Sequence, residues 1–377
     1  MSEGRRLAQG PDGFAGFDEM TDGAGDGMIA SALPQKQNNC SLAHGATNME
    51  NARRAVLRLL GAAALQGSAS FAEAQPIVLR RTRMLIPLAP GGAVDVYAKL
   101  VADHMARTLH RTIVIEHKSG GSGNIGMQYV AHEPADGSLI LVTTQGMTEI
   151  NPVAYADTRW SLADFIPLVR GVQAPLVLVA NPGIPAKSLE ELIAWVRRNR
   201  GKLSYSSYGA GRSSHFLGFL LDKRFALDLA HLPAKGGAAQ AAELVANRTL
   251  FGFAQLQPTL ALIRQKKLNA IAVTSPDRSR FLPEVPSFME LGQPDFTANV
   301  WFGLMLRTGT PQTMVDTILA AAKAAHEDPG VSAKLEAQGF DISGETGPAF
   351  AAALRSQAAR WARLVAASGF HGEAGGS

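Results

Sequence analysis

Past Gln75 the chain alternates short apolar runs and glycine-rich turns with stretches of helical spacing. Residues 83–87 are the first such run. They lead into Pro90-Gly91-Gly92, after which residues 94–109 read as a helix. Residues 112–116 are β-branched and lead into Gly120-Gly121-Ser122-Gly123 and a helix through Val130, and residues 138–144 give a third strand. Strands alternating with helices predict an α/β fold with largely parallel strands, because parallel neighbours need a crossover between them.

The second half keeps the habit. Residues 175–180 form a continuous apolar strand, and Asn181-Pro182-Gly183 turns the chain. Ser188 with Glu191 three residues on is a capping box that starts a helix. Residues 203–206 form a strand that enters Ser207-Tyr208-Gly209-Ala210-Gly211-Arg212, with a helix from Ser213 or Ser214. Residues 270–273 and 300–306 are further strands, and the tail from Thr313 is mostly helical.

With 377 residues, 46% apolar and only 18% charged, the chain can bury a sizeable core over two domains. The net charge of +4 comes from scattered Lys and Arg, with no concentrated basic face, so a nucleic-acid partner is not expected. The single cysteine, Cys40, excludes an intramolecular disulfide. Nine histidines include no HExxH pair or other ligand spacing, so neither a metal nor a cofactor is expected.

Residues 49–74 read as a cleaved export signal: Arg53-Arg54, an apolar stretch over 59–65, and Ala72-Glu73-Ala74 as the cleavage pattern. The apolar run is too short to span a bilayer, which takes about 20 residues. The paired arginines followed by Leu57 and Arg58 resemble a twin-arginine signal, with the general secretory route as the alternative. Residues 1–48, rich in Gly, Asp, Asn and Gln, read as a disordered extension or an over-extended start ahead of Met49.

Two loops share one design. Pro90-Gly91-Gly92-Ala93-Val94-Asp95 and Ser207 to Arg212 each place glycines between a strand and a helix. Glycine lets backbone approach a ligand, and the free N–H groups of a helix start favour an anion. Either loop by itself is also ordinary turn chemistry. Asp95 is a contact for a ligand amino group or a favourable charge at its helix start. Arg212 is a carboxylate partner or a solvated surface cation. His215 reads as a packed or capping residue, and Phe216, Phe219 and Phe225 as core. Ser207 with His215 lacks the G-x-S-x-G elbow of a hydrolase. Gly121 to Gly126 matches GxGxxG, but no acidic residue follows for a ribose, and a tight turn explains it better.

With these motifs in order, the chain resembles the Bug family, the solute-binding proteins of tripartite tricarboxylate transporters. The resemblance runs from about Met84 to Phe370. It is carried by Pro90-Gly91-Gly92 with Asp95, Pro134-Ala135-Asp136-Gly137, Ile150-Asn151-Pro152, Tyr205 to Gly211 with His215, Lys235-Gly236-Gly237, Leu282-Pro283-Glu284-Val285-Pro286 and Trp301-Phe302-Gly303-Leu304. It implies a two-lobed type II periplasmic-binding-protein fold with an interlobe ligand cleft and no catalysis. Lobe 1 would be 75–174 plus 302–377, lobe 2 would be 175–301, and the chain would cross near 171–177 and 298–306. Ligand contacts would come from Gly91, Gly92, Ala93, Asp95, Thr143, Thr144, Gln145, Ser206, Ser207, Gly209, Gly211, Arg212 and Ser213. The implied ligand is a small carboxylate: a di- or tricarboxylate, an acidic amino acid or an aromatic acid. The implied partners are membrane permease subunits or, alternatively, a sensor, with the protein periplasmic and monomeric. A periplasmic enzyme on the same fold is the remaining alternative.

The chain departs from the family pattern in four places. Ala93 and Arg212 stand where Ser or Thr is usual, Pro233-Ala234 replaces Pro-Tyr, and Asn247-Arg248-Thr249-Leu250 replaces Gly-x-Val-Asp. Hydroxyls are lost and a guanidinium gained, so a more anionic ligand than a simple monocarboxylate is expected.

Overall fold

Met84, Leu85 and Ile86 are each at most 1% exposed, and their burial on both faces makes residues 81–86 a central strand. The computed structural model describes residues 81–372. The expected extension and export signal lie outside the described residues. Strand β1 (Arg81–Ile86) leads through helix α1 (Ala93–Thr108) to β2 (Thr112–His117), and then through α2 (Asn124–His132) to β3 (Leu139–Thr144). β1 pairs in parallel with both β2 and β3. Helix α1 buries Val94, Tyr97, Ala98, Val101, Ala102 and Met105, the three-and-four spacing of one helix face.

Strand β4 (Phe165–Ala180) is the longest, at 16 residues. After it come α3 (Leu189–Arg198), β5 (Ser204–Ser207), α4 (Ser213–Phe225), β6 (Ala230–Pro233), α5 (Gly237–Val245), β7 (Phe251–Gln255), α6 (Leu256–Arg264) and β8 (Asn269–Val273). The chain returns on β9 (Asn299–Arg307). It ends with α7 (Gln312–Glu327), α8 (Pro329–Ala337), β10 (Asp341–Thr346) and α9 (Gly347–Ser368). The strand order is β2-β1-β3-β9-β4-β7-β5-β6, with β8 and β10 also on β4. Up to Pro175, β4 pairs with β9; from Leu176 it pairs with β7 and β8. One strand therefore serves two sheets. Val177, Leu178 and Val179 are fully buried at that passage, each worth roughly 1.5–3 kcal/mol against exposure.

The expectation of largely parallel strands needs correcting. β1–β2, β1–β3, β5–β6 and β5–β7 are parallel, but β3–β9, β4–β9, β4–β7, β4–β8 and β4–β10 are antiparallel. The parallel pairs lie inside strand-helix-strand units. β4 and β9 connect those units and run against them. The helical tail is also interrupted, because β10 pairs with β4 at Val169–Gln173. A close approach fixes β5 against β7: a Cβ on Gly252 would lie 2.3 Å from the Ser206 carbonyl oxygen.

Candidate ligand-binding site

Strand β3 ends in Thr143 and Thr144, both buried, and the chain then turns through Gln145 into a wide helical turn over Gly146–Ile150. The Gln145 amide is 1% exposed. Its Oε1 accepts from the Ser213 hydroxyl at 2.6 Å, and its Nε2 donates to Glu149 Oε2 at 2.9 Å. Ser213 opens α4, so this bond joins the end of β3 to the loop that follows β5. A Cβ on Gly146 would lie 3.3 Å from the Arg212 guanidinium. The β3 loop and the β5 loop are thus in direct contact.

The β5 loop is held from behind. Ser206 Oγ accepts from Gln240 Nε2 at 3.1 Å. Ser207 Oγ accepts from the Gly209 amide, donates to the Gly209 carbonyl and lies 2.7 Å from His231 Nε2. The Gly211 amide donates to His215 Nδ1 at 3.2 Å, and Tyr208 Oη donates to Ser213 Oγ. Gly209 and Gly211 both adopt positive φ, at 154° and 68°. Gly211 also has no room for a side chain, since a Cβ would sit 2.9 Å from Phe370 and from the Tyr155 hydroxyl.

Arg212 sits among Gly146, Gly209, Tyr208 and Tyr155, and among the described residues its guanidinium has no hydrogen bond or ion pair. Burial opposes its charge, and only the nearby tyrosines partly offset that cost. The side chain is half-buried, and partial desolvation of a cation without a counter-ion favours an anionic partner. Arg212 is therefore no freely solvated surface residue.

The first loop has a different surrounding. Gly91, with φ 95°, and Gly92 are exposed, and Ala93 begins α1. The Asp95 carboxylate accepts from the Gly92 amide at 2.9 Å and meets His117 Nε2 at 3.0 Å. It caps its own helix and bridges to β2. Among the described residues, no hydrogen bond joins this loop to Ser207–Arg212; the β3 loop takes that place. The GxGxxG segment forms a tight turn, with Ser122 at φ 56° and the Gly123 amide donating to the Gly120 carbonyl. Ser122 is held by Tyr155 Oη at 2.6 Å and by Asn151 Nδ2.

Three groups here carried little sequence signal. Glu149 is 4% exposed and accepts from Trp301 Nε1 at 2.8 Å, Trp361 Nε1 at 3.1 Å and Gln145. Burial raises its carboxyl pKa against those three donors. His231 stacks on His215 with ring centroids 3.9 Å apart and on Tyr205 at 5.0 Å. Phe370 packs edge-on against His215 and Tyr155. A lone Glu or His has no periodicity to announce its burial. Ser207 and His231 do form a hydroxyl–imidazole pair, but Ser207 is 0% exposed and both its donor and acceptor capacity go to Gly209.

The stacked histidines predict a pH dependence. Burial pulls His215 down to about 4, and burial together with its neighbour pulls His231 down to about 3. Both fold neutral, whereas the unfolded chain takes up protons near 6.5. The unfolded state then binds more protons as pH falls from about 6.5, so stability is lost on acidification and is fully present above that value. Urea midpoints should fall between pH 7 and 5, above the range where most carboxylates titrate. The fall should be smaller in His231→Gln, and an unchanged midpoint would rule out the neutral stack.

Residues 97–370 match the family described as the tripartite tricarboxylate transporter family receptor, TctC. A "UPF0065 protein in tcbD-tcbE intergenic region" of Pseudomonas sp. (strain P51) is 31% identical over 313 residues, covering 82% of this chain and 93% of the relative. Among solved structures, the periplasmic binding protein BugD is 29% identical with a TM-score of 0.71, covering 78% of this chain and 99% of BugD. R. palustris Rpa4515 with adipate is 25% identical with a TM-score of 0.73, covering 78% and 99%. MatC from Rhodopseudomonas palustris, with bound malate, is 26% identical with a TM-score of 0.70, covering 76% and 99%. Among the described residues, no helix is long and apolar enough to cross a membrane. A mixed α/β chain with one long strand shared by two sheets, matched over most of its length by binding proteins of this kind, belongs to the TctC (Bug) family of periplasmic solute-binding proteins.

Proposed function

We propose that this protein is exported, captures a small dicarboxylate between two lobes and delivers it to the membrane subunits of a tripartite transporter. The observation that carries the ligand class is Arg212, a half-buried guanidinium at the contact of the two loops with no counter-ion among the described residues. One carboxylate pairs with it, and a guanidinium can hold a carboxylate by two parallel bonds. The other end lies toward the exposed Gly91 amide and the first N–H groups of α1, the Gly92 amide being held by Asp95. Thr143, Thr144, Gln145, Ser206, Ser207, Gly209, Gly211 and Ser213 shape the walls, with Gln145–Ser213 acting as a latch. Ala93 gives backbone only. Asp95 positions the Gly92 amide and so acts from behind the ligand. Lobe boundaries near 174 and 301 fit the strand that changes sheets between Pro175 and Leu176. Two relatives that hold adipate and malate, both dicarboxylates, support this class.

The test is a thermal-shift and calorimetric screen of the mature, monomeric protein against adipate, malate, acidic amino acids, aromatic acids and monocarboxylates. A ligand at about 100 times Kd should stabilise by ~2.7 kcal/mol. Dicarboxylates should give the largest shifts. A monocarboxylate or an uncharged solute binding more tightly than every dicarboxylate would overturn the reading. Copurification with a multispanning permease instead of a sensor receptor would support the transport partner.

A further inference from the structure

Behind the crossing strands lies a cavity of about 190 Å³, separated from the loops above and sharing only Glu149 with them. Its walls come from β4 (Arg170), from the approach to β9 (Thr297, Asn299, Trp301) and from α9 (Arg360, Trp361). That space holds several waters or a small ion together with water.

Three polar atoms on this wall are buried with no partner: Arg170 Nε, Thr297 Oγ1 and Asn299 Oδ1. Buried polar groups are nearly always satisfied, so three together in one cavity point to an occupant: Arg170 Nε and the Thr297 hydroxyl can donate to it, while Asn299 Oδ1 accepts from a water or a protonated oxygen beside it. Arg360, with no ion pair among the described residues, sets its sign, and Arg170, paired with Glu345, adds a donor. Arg170 turns one amino group to Gln173 and faces Glu345 at 3.4 Å with the other, which leaves Nε for the cavity. Arg360 gives Nη2 to the Asp295 carbonyl at 2.7 Å and rests over the Trp361 ring, which leaves its other donors free. The Glu149 carboxylate also borders the space, but its oxygens already accept from Trp301, Trp361 and Gln145.

We infer that this cavity is a second ligand site, for a small oxyanion, held by Arg170 Nε and Arg360 with the Thr297 hydroxyl. The shared chemistry is a compact anion with several acceptor oxygens, either a carboxylate or an inorganic phosphate. The site is distinct from the Arg212 loop and does not depend on which solute that loop holds.

The indoles of Trp301 and Trp361 line the cavity and provide a local readout. Full-length protein labelled with nitrogen-15 at tryptophan is titrated with sodium phosphate and, separately, with sodium acetate, at ionic strength held constant with chloride. Indole signals are assigned from the Trp301→Phe and Trp361→Phe variants. Saturable shifts are expected at Trp301 and Trp361, with Trp160 and Trp195 unmoved. Response to phosphate alone identifies an inorganic oxyanion, and response to acetate alone identifies a carboxylate. The shifts should persist in Arg212→Ala. They should weaken by about tenfold or more in Arg360→Gln and in Thr297→Val, two substitutions on partly exposed side chains that spare the core. No saturable shift with either anion, an equal shift with chloride, or loss of the shifts in Arg212→Ala would overturn the proposal. Unaltered affinity in both Arg360→Gln and Thr297→Val would overturn it as well.

Discussion

Replacing Glu149 by leucine is expected to cost about 3 kcal/mol or more of stability, because three buried donors are left without their acceptor. Leucine fills much of the same volume but accepts nothing. The indole N–H groups of Trp301 and Trp361 and the Gln145 amide would all lose their acceptor in a dry interior. Each orphaned donor costs about 1–3 kcal/mol. Glu149→Gln should lose less, because one oxygen survives and only one position is turned from acceptor to donor. The check is a urea unfolding series in which the midpoint moves while the slope stays constant. A loss under about 1 kcal/mol for Glu149→Leu would mean that water replaces the carboxylate, and the network would not hold the β3 loop. Because Gln145 is a shared partner, Glu149→Gln should also loosen the Gln145–Ser213 bond and weaken ligand binding.

Replacing Arg212 by alanine is expected to lower affinity for a dicarboxylate by about 10–100-fold, the worth of a hydrogen-bonded charged contact of roughly 1.5–3 kcal/mol. Ligand-free stability should stay level or rise, since a half-buried cation without a counter-ion is removed. The two outcomes move in opposite directions, which separates a ligand contact from a structural brace. Arg212→Lys should recover part of the affinity, because charge returns without the planar fork. Calorimetry with adipate, malate and a monocarboxylate reads all three. Equal dicarboxylate affinity in Arg212→Ala would refute the role given to Arg212, and with it the expectation of a more anionic ligand.

The sequence was most informative where a single element explains itself. The Ser188–Glu191 capping box is present, with Ser188 Oγ accepting from the Glu191 amide and Glu191 Oε2 accepting from the Lys187 amide. Helices α1 and α2 begin where glycine-rich turns ended apolar runs. Phe216 is fully buried, while Phe219 and Phe225 are half-buried. His215 is packed and hydrogen-bonded, as its place near a helix start suggested. Strand β6, by contrast, is four residues of mostly exposed chain, and β10 is half-buried and polar. Neither carries the alternation that marks a strand, so only their partners define them.

Local chemistry alone determined the alternation of strands and helices, the glycine-rich turns and the residues that start helices, because each depends on neighbours a few positions away. The tertiary structure decided which loops meet. It set Gln145 and Gly146 against Arg212 and Ser213, with no hydrogen bond between Pro90–Gly92 and that loop among the described residues. It made five of the nine strand pairings antiparallel, chiefly by running β4 and β9 against the units they connect. It also buried Glu149 beneath two indoles 152 and 212 residues away in sequence. Such contacts depend on the packing of distant segments, and no short window of sequence contains both partners.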